Sequence, residues 1–173
     1  MEAPPARPRD KAGLLTKLAE SRTDLHATIA AIPPGQRATL RDPGGWTVAD
    51  HLAHVAAWER WKLALLRGTP GHESLGVARE TYDSDDTDAI NASIQAASAD
   101  QSLDAAIDAF DRTHAELAAL VASLSDDDLG HTLGTHFPDQ PGADGDPTLL
   151  QLCAYTIDHI AEHRQMLHEM RPA

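Results

Sequence analysis

Apolar residues recur at spacings of three and four in four long stretches of this chain, the period of helices that each bury one face. Leu14, Leu18, Leu25, Ile29 and Ile32 form the first stripe, with Asp10 where an N-cap belongs and Pro33, Pro34 and Gly35 as the stop. The second opens at Thr47, whose hydroxyl is spaced for a reciprocal capping box with Asp50. It carries Val48, Leu52 and Val55 and ends near Arg67, ahead of Gly68, Thr69, Pro70 and Gly71. Ser102 caps the third, a seam of Leu103, Ile107, Phe110, His114, Leu117, Val121 and Leu124. In the last, Leu149, Cys153, Thr156, Ile160, His163 and Leu167 share a face, with Asp146 as the expected cap and Pro147 at the first helical position. The pattern predicts an all-α four-helix bundle in which the second and last helices are neighbours.

The intervening segments follow other rules. Residues 72–88 mix Gly, Ser, Tyr82 and the acids Asp83, Asp85, Asp86 and Asp88. That run has a superficial likeness to a calcium loop, but the turn glycine is missing and Ile94 stands where the bidentate Glu belongs. The segment is therefore predicted to be a solvated crossover and a candidate lid. A short helix is expected from Asp88 to Ala97, and a capping-box turn from Ser125 to Asp128. Residues 130–147, with His131, His136, Pro138, Pro141, Gly142 and Gly145, are predicted to be irregular and form a second lid candidate. Residues 1–9 are expected to be a flexible arm ahead of a single domain over 10–171.

Composition narrows the class. A chain of 173 residues suffices for one real core and scarcely for two. Its 42% hydrophobic content is dominated by Ala and Leu, with only 4% aromatics, which suits packed helices better than sheet. A formal net charge of −13 opposes binding to phosphate backbones or anionic lipid, so neither nucleic acid nor membrane is an expected partner. Cys153 stands alone, which excludes an internal disulfide, and its default role is a small buried hydrophobe. MEAPPARPRD has no apolar run of the export type, so a cytoplasmic location is expected.

Candidate chemistry gathers on two helices. His51, His54, Trp58 and Trp61 recur at offsets of three and four beside the apolar flank of the second helix, just after Trp46. His159 and His163 lie four apart on the last, so both rings leave one face about a turn apart, a spacing suited to holding one ion. His54 could complete a set of three neutral imidazoles with an open position. Alternatively these are core or groove histidines satisfied by carboxylates and carbonyls. His114 interrupts the third seam and is either a buried, bonded histidine or a groove residue.

The runs GWTVADHLAHVAAWERW, NASIQAASADQSLDAAIDAFDRTHAELAALVASLSDDDL and YTIDHIAEHRQML resemble the DinB-like superfamily, specifically its ClbS/DfsB branch. The resemblance implies a four-helix bundle with a long crossover, and a three-histidine divalent-metal site that corresponds here to His54, His159 and His163. It implies zinc or nickel as the ion, although the same imidazoles could act without metal as general bases. The superfamily includes metal-dependent small-thiol S-transferases, and the branch includes a self-protection protein that opens the cyclopropane of a genotoxin by adding water. The leading expectation is hydrolytic ring opening of a small electrophile, a cyclopropane or epoxide, for self-resistance or detoxification. Thiol transfer and non-catalytic sequestration are the alternatives. Trp46, Trp58, Trp61, His51 and His114 are the expected ligand-binding residues, and monomer and homodimer both stay open.

Overall fold

A computed structural model describes residues 7–136 and 147–171. The four long helices are α1 (Lys11–Ala30), α2 (Val48–Leu66), α6 (Leu103–Ser123) and α9 (Leu149–Glu169). Between α2 and α6 run α3 (Gly71–Leu75), α4 (Arg79–Asp83) and α5 (Thr87–Ser98), and α7 (Asp126–Gly130) and α8 (Leu133–His136) follow α6. The described residues form no strand. Among them no helix is long and apolar enough to cross a membrane.

The expected caps form. Asp10 accepts from the Gly13 amide, Ser102 from the Ala105 amide, and Thr47–Asp50 and Ser125–Asp128 close reciprocal capping boxes. Three boundaries differ from expectation. Helix α9 is capped by Thr148 in a box with Gln151, not by Asp146 and Pro147; Asp146 lies outside the described residues. The 72–88 crossover is not simply solvated, because Leu75 and Val77 are buried. It forms two five-residue helices, too short for a periodic signature. In the 130–147 segment, Leu133–His136 is helical, while Pro138, Pro141, Gly142 and Gly145 lie outside the described residues. Of the expected arm, Arg7 pairs with Asp158 at 3.1 Å and lies over the Tyr155 ring.

Two apolar clusters fill the bundle and fix its topology. One joins Leu14 and Leu18 of α1 to Leu63 and Leu66 of α2, Leu117 and Val121 of α6, and Leu149, Leu152 and Cys153 of α9. The other joins Leu25 and Ile29 to Val48, Leu52 and Val55, to Ala106 and Phe110, and to Ile160 and Leu167. Early α1 thus meets early α9 but late α2 and late α6. So α1 and α9 are parallel to each other and antiparallel to α2 and α6, and α2 and α6, being parallel, need a long crossover. Helices α2 with α6, and α1 with α9, pack most extensively; the α2–α9 seam is looser. Between the clusters lies a buried polar layer that includes Ser21, Glu59, Lys62, Thr113, His114 and Thr156.

The crossover covers the outer side of α2, leaving that helix buried nearly all round. Leu75, Val77, Ile90 and Ile94 close over Ala57, Trp58 and Trp61. Gly71 permits this approach: a Cβ there would stand 2.5 Å from Trp61 Nε1 and 2.9 Å from the Tyr82 hydroxyl.

Candidate functional site

His54 on α2 and His159 and His163 on α9 meet across the looser seam. His54 Nε2 lies 3.0 Å from His159 Nε2, which lies 3.1 Å from His163 Nε2. Every ligand nitrogen of the three falls within 4.8 Å of the others. His54 and His163 are buried and His159 half-buried. Removal from water opposes the charged imidazolium, and each ring's neighbouring histidines add to the effect. Burial thus pushes His54 down to about 4, His159 to about 3 and His163 to about 2.

Three neutral rings with Nε2 atoms facing inward cannot satisfy one another, because each N···N hydrogen bond needs one protonated and one bare nitrogen. Three bare nitrogens would instead turn their lone pairs on a common point, an arrangement that a cation relieves. A tetrahedral ion at about 2.0–2.1 Å from each nitrogen would set them roughly 3.3 Å apart, a few tenths of an ångström beyond the 3.0 and 3.1 Å that separate His159 from His54 and from His163. Neutral imidazoles suit zinc or nickel, and the residues present fit such an ion.

These histidines wall a cavity of about 360 Å³, whose lining includes Asp42, Trp46, His51, Asn91, Glu162 and Met166. The volume lies within the range of small-molecule sites. Trp46 meets His54 edge to face at 5.2 Å and tilts over His51 at 5.5 Å. Behind the triad, His51 Nδ1 stands 2.8 Å from His163 Nδ1.

Of the expected ligand-binding residues, Trp46 and His51 reach the cavity, whereas Trp58, Trp61 and His114 are not among its lining. Trp58 donates its indole N–H to Asn91 Oδ1, and Trp61 donates to the Tyr82 hydroxyl, so both indoles anchor the crossover. His114 lies in the polar layer, donating from Nε2 to the Leu18 carbonyl and standing 2.7 Å from Glu59 Oε1 through Nδ1. Burial lowers its pKa, but the bond and charge of Glu59 and the bond to the Leu18 carbonyl prevail and leave it raised. Cys153 is inert, its thiol pushed up to about 12 by burial. Asp42, Asn91, Glu162 and Met166 were missed by sequence reasoning. Only Glu162 and Met166, one turn along α9 from His159 and His163, could have been found by helical offset.

The DinB superfamily model matches residues 17–167. No curated protein matches the chain in sequence. Among solved structures, the colibactin self-resistance protein ClbS in complex with double-stranded DNA aligns with a TM-score of 0.71 at 13% identity, over 95% of this chain and 97% of that one. The sibling lethal factor precursor DfsB aligns at 0.69 and 18% identity, covering 94% of this chain and 95% of that one. An uncharacterised protein from Escherichia coli UTI89 aligns at 0.68 and 16% identity, covering 95% and 94%. At these identities the likeness is one of fold.

Proposed function

We propose that this chain, which belongs to the DinB superfamily, inactivates a small electrophile by adding water across a strained ring, as a self-resistance or detoxification protein of the ClbS/DfsB kind. The observation that carries this reading is the convergence of three imidazole nitrogens, two on buried rings and one on a half-buried ring, in the wall of a small-molecule cavity. A divalent ion held by His54, His159 and His163 would supply Lewis acidity and bring a water or thiol toward ionisation at neutral pH. The metal-free alternative is weaker. General bases work best with a pKa near the working pH, and these imidazoles are pushed to about 4, 3 and 2.

The remaining work falls to the chain's own side chains. Trp46 and Met166 offer apolar surface to a flat ring system, and Asp42 and Glu162 bring carboxylates to the cavity. No Lys or Arg is among the described lining residues, and the charge of a divalent ion would be balanced by the carboxylates of Asp42 and Glu162, so neutral electrophiles are favoured. Glu162, exposed at the cavity, can take the proton of the attacking water. As the oxygen–carbon bond forms, a ring bond breaks and its electron pair passes to the departing carbon or oxygen, which then receives the proton. The net charge of −13 argues against duplex DNA as a partner of this chain, although the structurally similar ClbS was solved in complex with double-stranded DNA.

The test offers a planar cyclopropane- or epoxide-bearing alkylator to substoichiometric protein, with and without a low-molecular-weight thiol. A water adduct formed over many turnovers is expected, with His54→Ala and His163→Ala lowering turnover more than fold stability. A strict thiol requirement would identify an S-transferase, and consumption that stops at one equivalent a sequestering protein. Folded histidine variants with full activity would refute the site.

A further inference from the structure

We propose that Asp42 and His51 form a positioning relay behind the triad, which fixes the tautomer of His163 and aims its Nε2 lone pair at the metal position. The inference rests on the reading that His54, His159 and His163 hold a divalent ion. It begins with the contact that the triad itself does not explain: His163 Nδ1 and His51 Nδ1 are 2.8 Å apart and both rings are buried. One of these nitrogens must donate and the other accept. If His163 ligates through Nε2, that nitrogen is bare and its proton sits on Nδ1, so His163 donates. His51 then accepts through a bare Nδ1 and carries its own proton on Nε2.

What faces that second proton decides whether the assignment is consistent. His51 Nε2 stands 3.4 Å from Asp42 Oδ2, a charge contact not aligned as a formed hydrogen bond. A carboxylate only accepts, so it favours the Nε2–H tautomer, the one that the ligating form of His163 requires. Reversing the relay would turn a bare nitrogen toward the carboxylate and place a proton on the ligand atom of His163.

The sequence holds Asp42 in this pose. Its Oδ1 accepts from the Trp46 amide at 2.8 Å and its own amide donates to the Trp46 carbonyl at 2.9 Å. Gly45 turns the chain between them with φ +86°, a conformation that favours glycine. One carboxylate oxygen is thereby occupied and the other left toward His51. A carboxylate that orients a ligating histidine directly is a common device; here a second imidazole is interposed, extending the reach from a loop to a buried ligand.

Zinc alone is the probe, titrated into the full-length, chelator-stripped protein against a chromophoric chelator. His51→Phe should weaken zinc binding roughly 10- to 100-fold, and Asp42→Asn should act in the same direction. His51→Asn should recover much of the loss, because its carboxamide oxygen can accept from His163 Nδ1–H. Nitrogen-15 spectra of the zinc-loaded wild type should place the ring proton on Nδ1 of His163 and on Nε2 of His51. Undiminished zinc affinity in His51→Phe, or a proton on Nδ1 of His51, overturns the relay and leaves the metal reading standing. A wild type that binds no zinc overturns both. Should His51→Phe not fold, Asp42→Asn and the wild-type tautomers still decide.

Discussion

Acid should destabilise the metal-stripped protein through the same histidines. In the unfolded chain each imidazole takes up its proton near the ordinary value of 6.5, whereas burial holds folded His54 at about 4. Between those values the unfolded state binds a proton that the folded state refuses, so stability is lost as pH falls, by about 1.4 kcal/mol per pH unit per group. Over the roughly 2.5 pH units involved, His54 alone removes about 3 kcal/mol. His163, only 6% exposed and pushed to about 2, removes a similar amount over the same interval. Together these approach the whole stability of an ordinary domain, roughly 5–15 kcal/mol. Two other shifts do not offset them. The raised pKa of His114 stabilises below 6.5 and loses that contribution only as pH rises through the folded value. The lowered carboxyl of Asp111 loses its contribution below its ordinary 3.8, under the window. Urea unfolding followed by circular dichroism, in chelator and in steps from about pH 7.5 to 4.5, should show a midpoint that falls throughout the acid half. His54→Phe, which removes one of the titrating sites, should flatten the slope by about 1.4 kcal/mol per pH unit. A wild-type midpoint that stays level between pH 6.5 and 4.5 would refute the argument that burial keeps these rings neutral.

Zinc at about 100 times its Kd should raise unfolding stability by roughly 2.7 kcal/mol, and His54→Ala, His159→Ala and His163→Ala should each abolish the gain in a thermal melt. Leu117→Ala, at a position with no exposure in the cluster that joins all four long helices, should cost roughly 2–5 kcal/mol by chemical unfolding and leave zinc affinity unchanged. His114→Leu strands the fully buried Glu59 without its partner and should cost roughly 3–5 kcal/mol, most of which Glu59→Leu in the same chain should restore. Duplex DNA should show no mobility shift with the protein even at low salt, where electrostatic binding is strongest; a shift would overturn the argument from net charge.

Much of the secondary structure was legible because the interactions that start a helix span three residues. Asp10 to Gly13, Thr47 to Asp50, Ser102 to Ala105 and Ser125 to Asp128 are local bonds, and any chain carrying those residues can form them before it folds. The apolar seams were readable for a related reason, since a regular helix turns sequence spacing directly into a face. The crossover was not. Five-residue helices such as α3 and α4 complete little more than one turn, so Leu75 and Val77 gave no period to detect. The tryptophans of α2 were hard to place for a different reason. When a helix is buried nearly all round, periodicity cannot say which flank meets a cavity and which meets a covering segment. Trp58 and Trp61 proved to face the crossover.

By itself the sequence determined four long helices and the caps of the first three, the separation that puts His159 and His163 on one face and, through family resemblance, His54 as their partner. Only the tertiary structure decided what lies between helices: that the triad borders a cavity, that His114 is bound to Glu59 and Leu18, and that Asp42 reaches His51 behind His163. The physical reason is range. Caps and seams are set by bonds and repeats a few residues long, whereas His51 meets His163 across 112 positions of chain. That pairing depends on the register in which α2 and α9 dock, and the register is set by the packing of Leu52, Val55, Ile160 and Leu167 taken together.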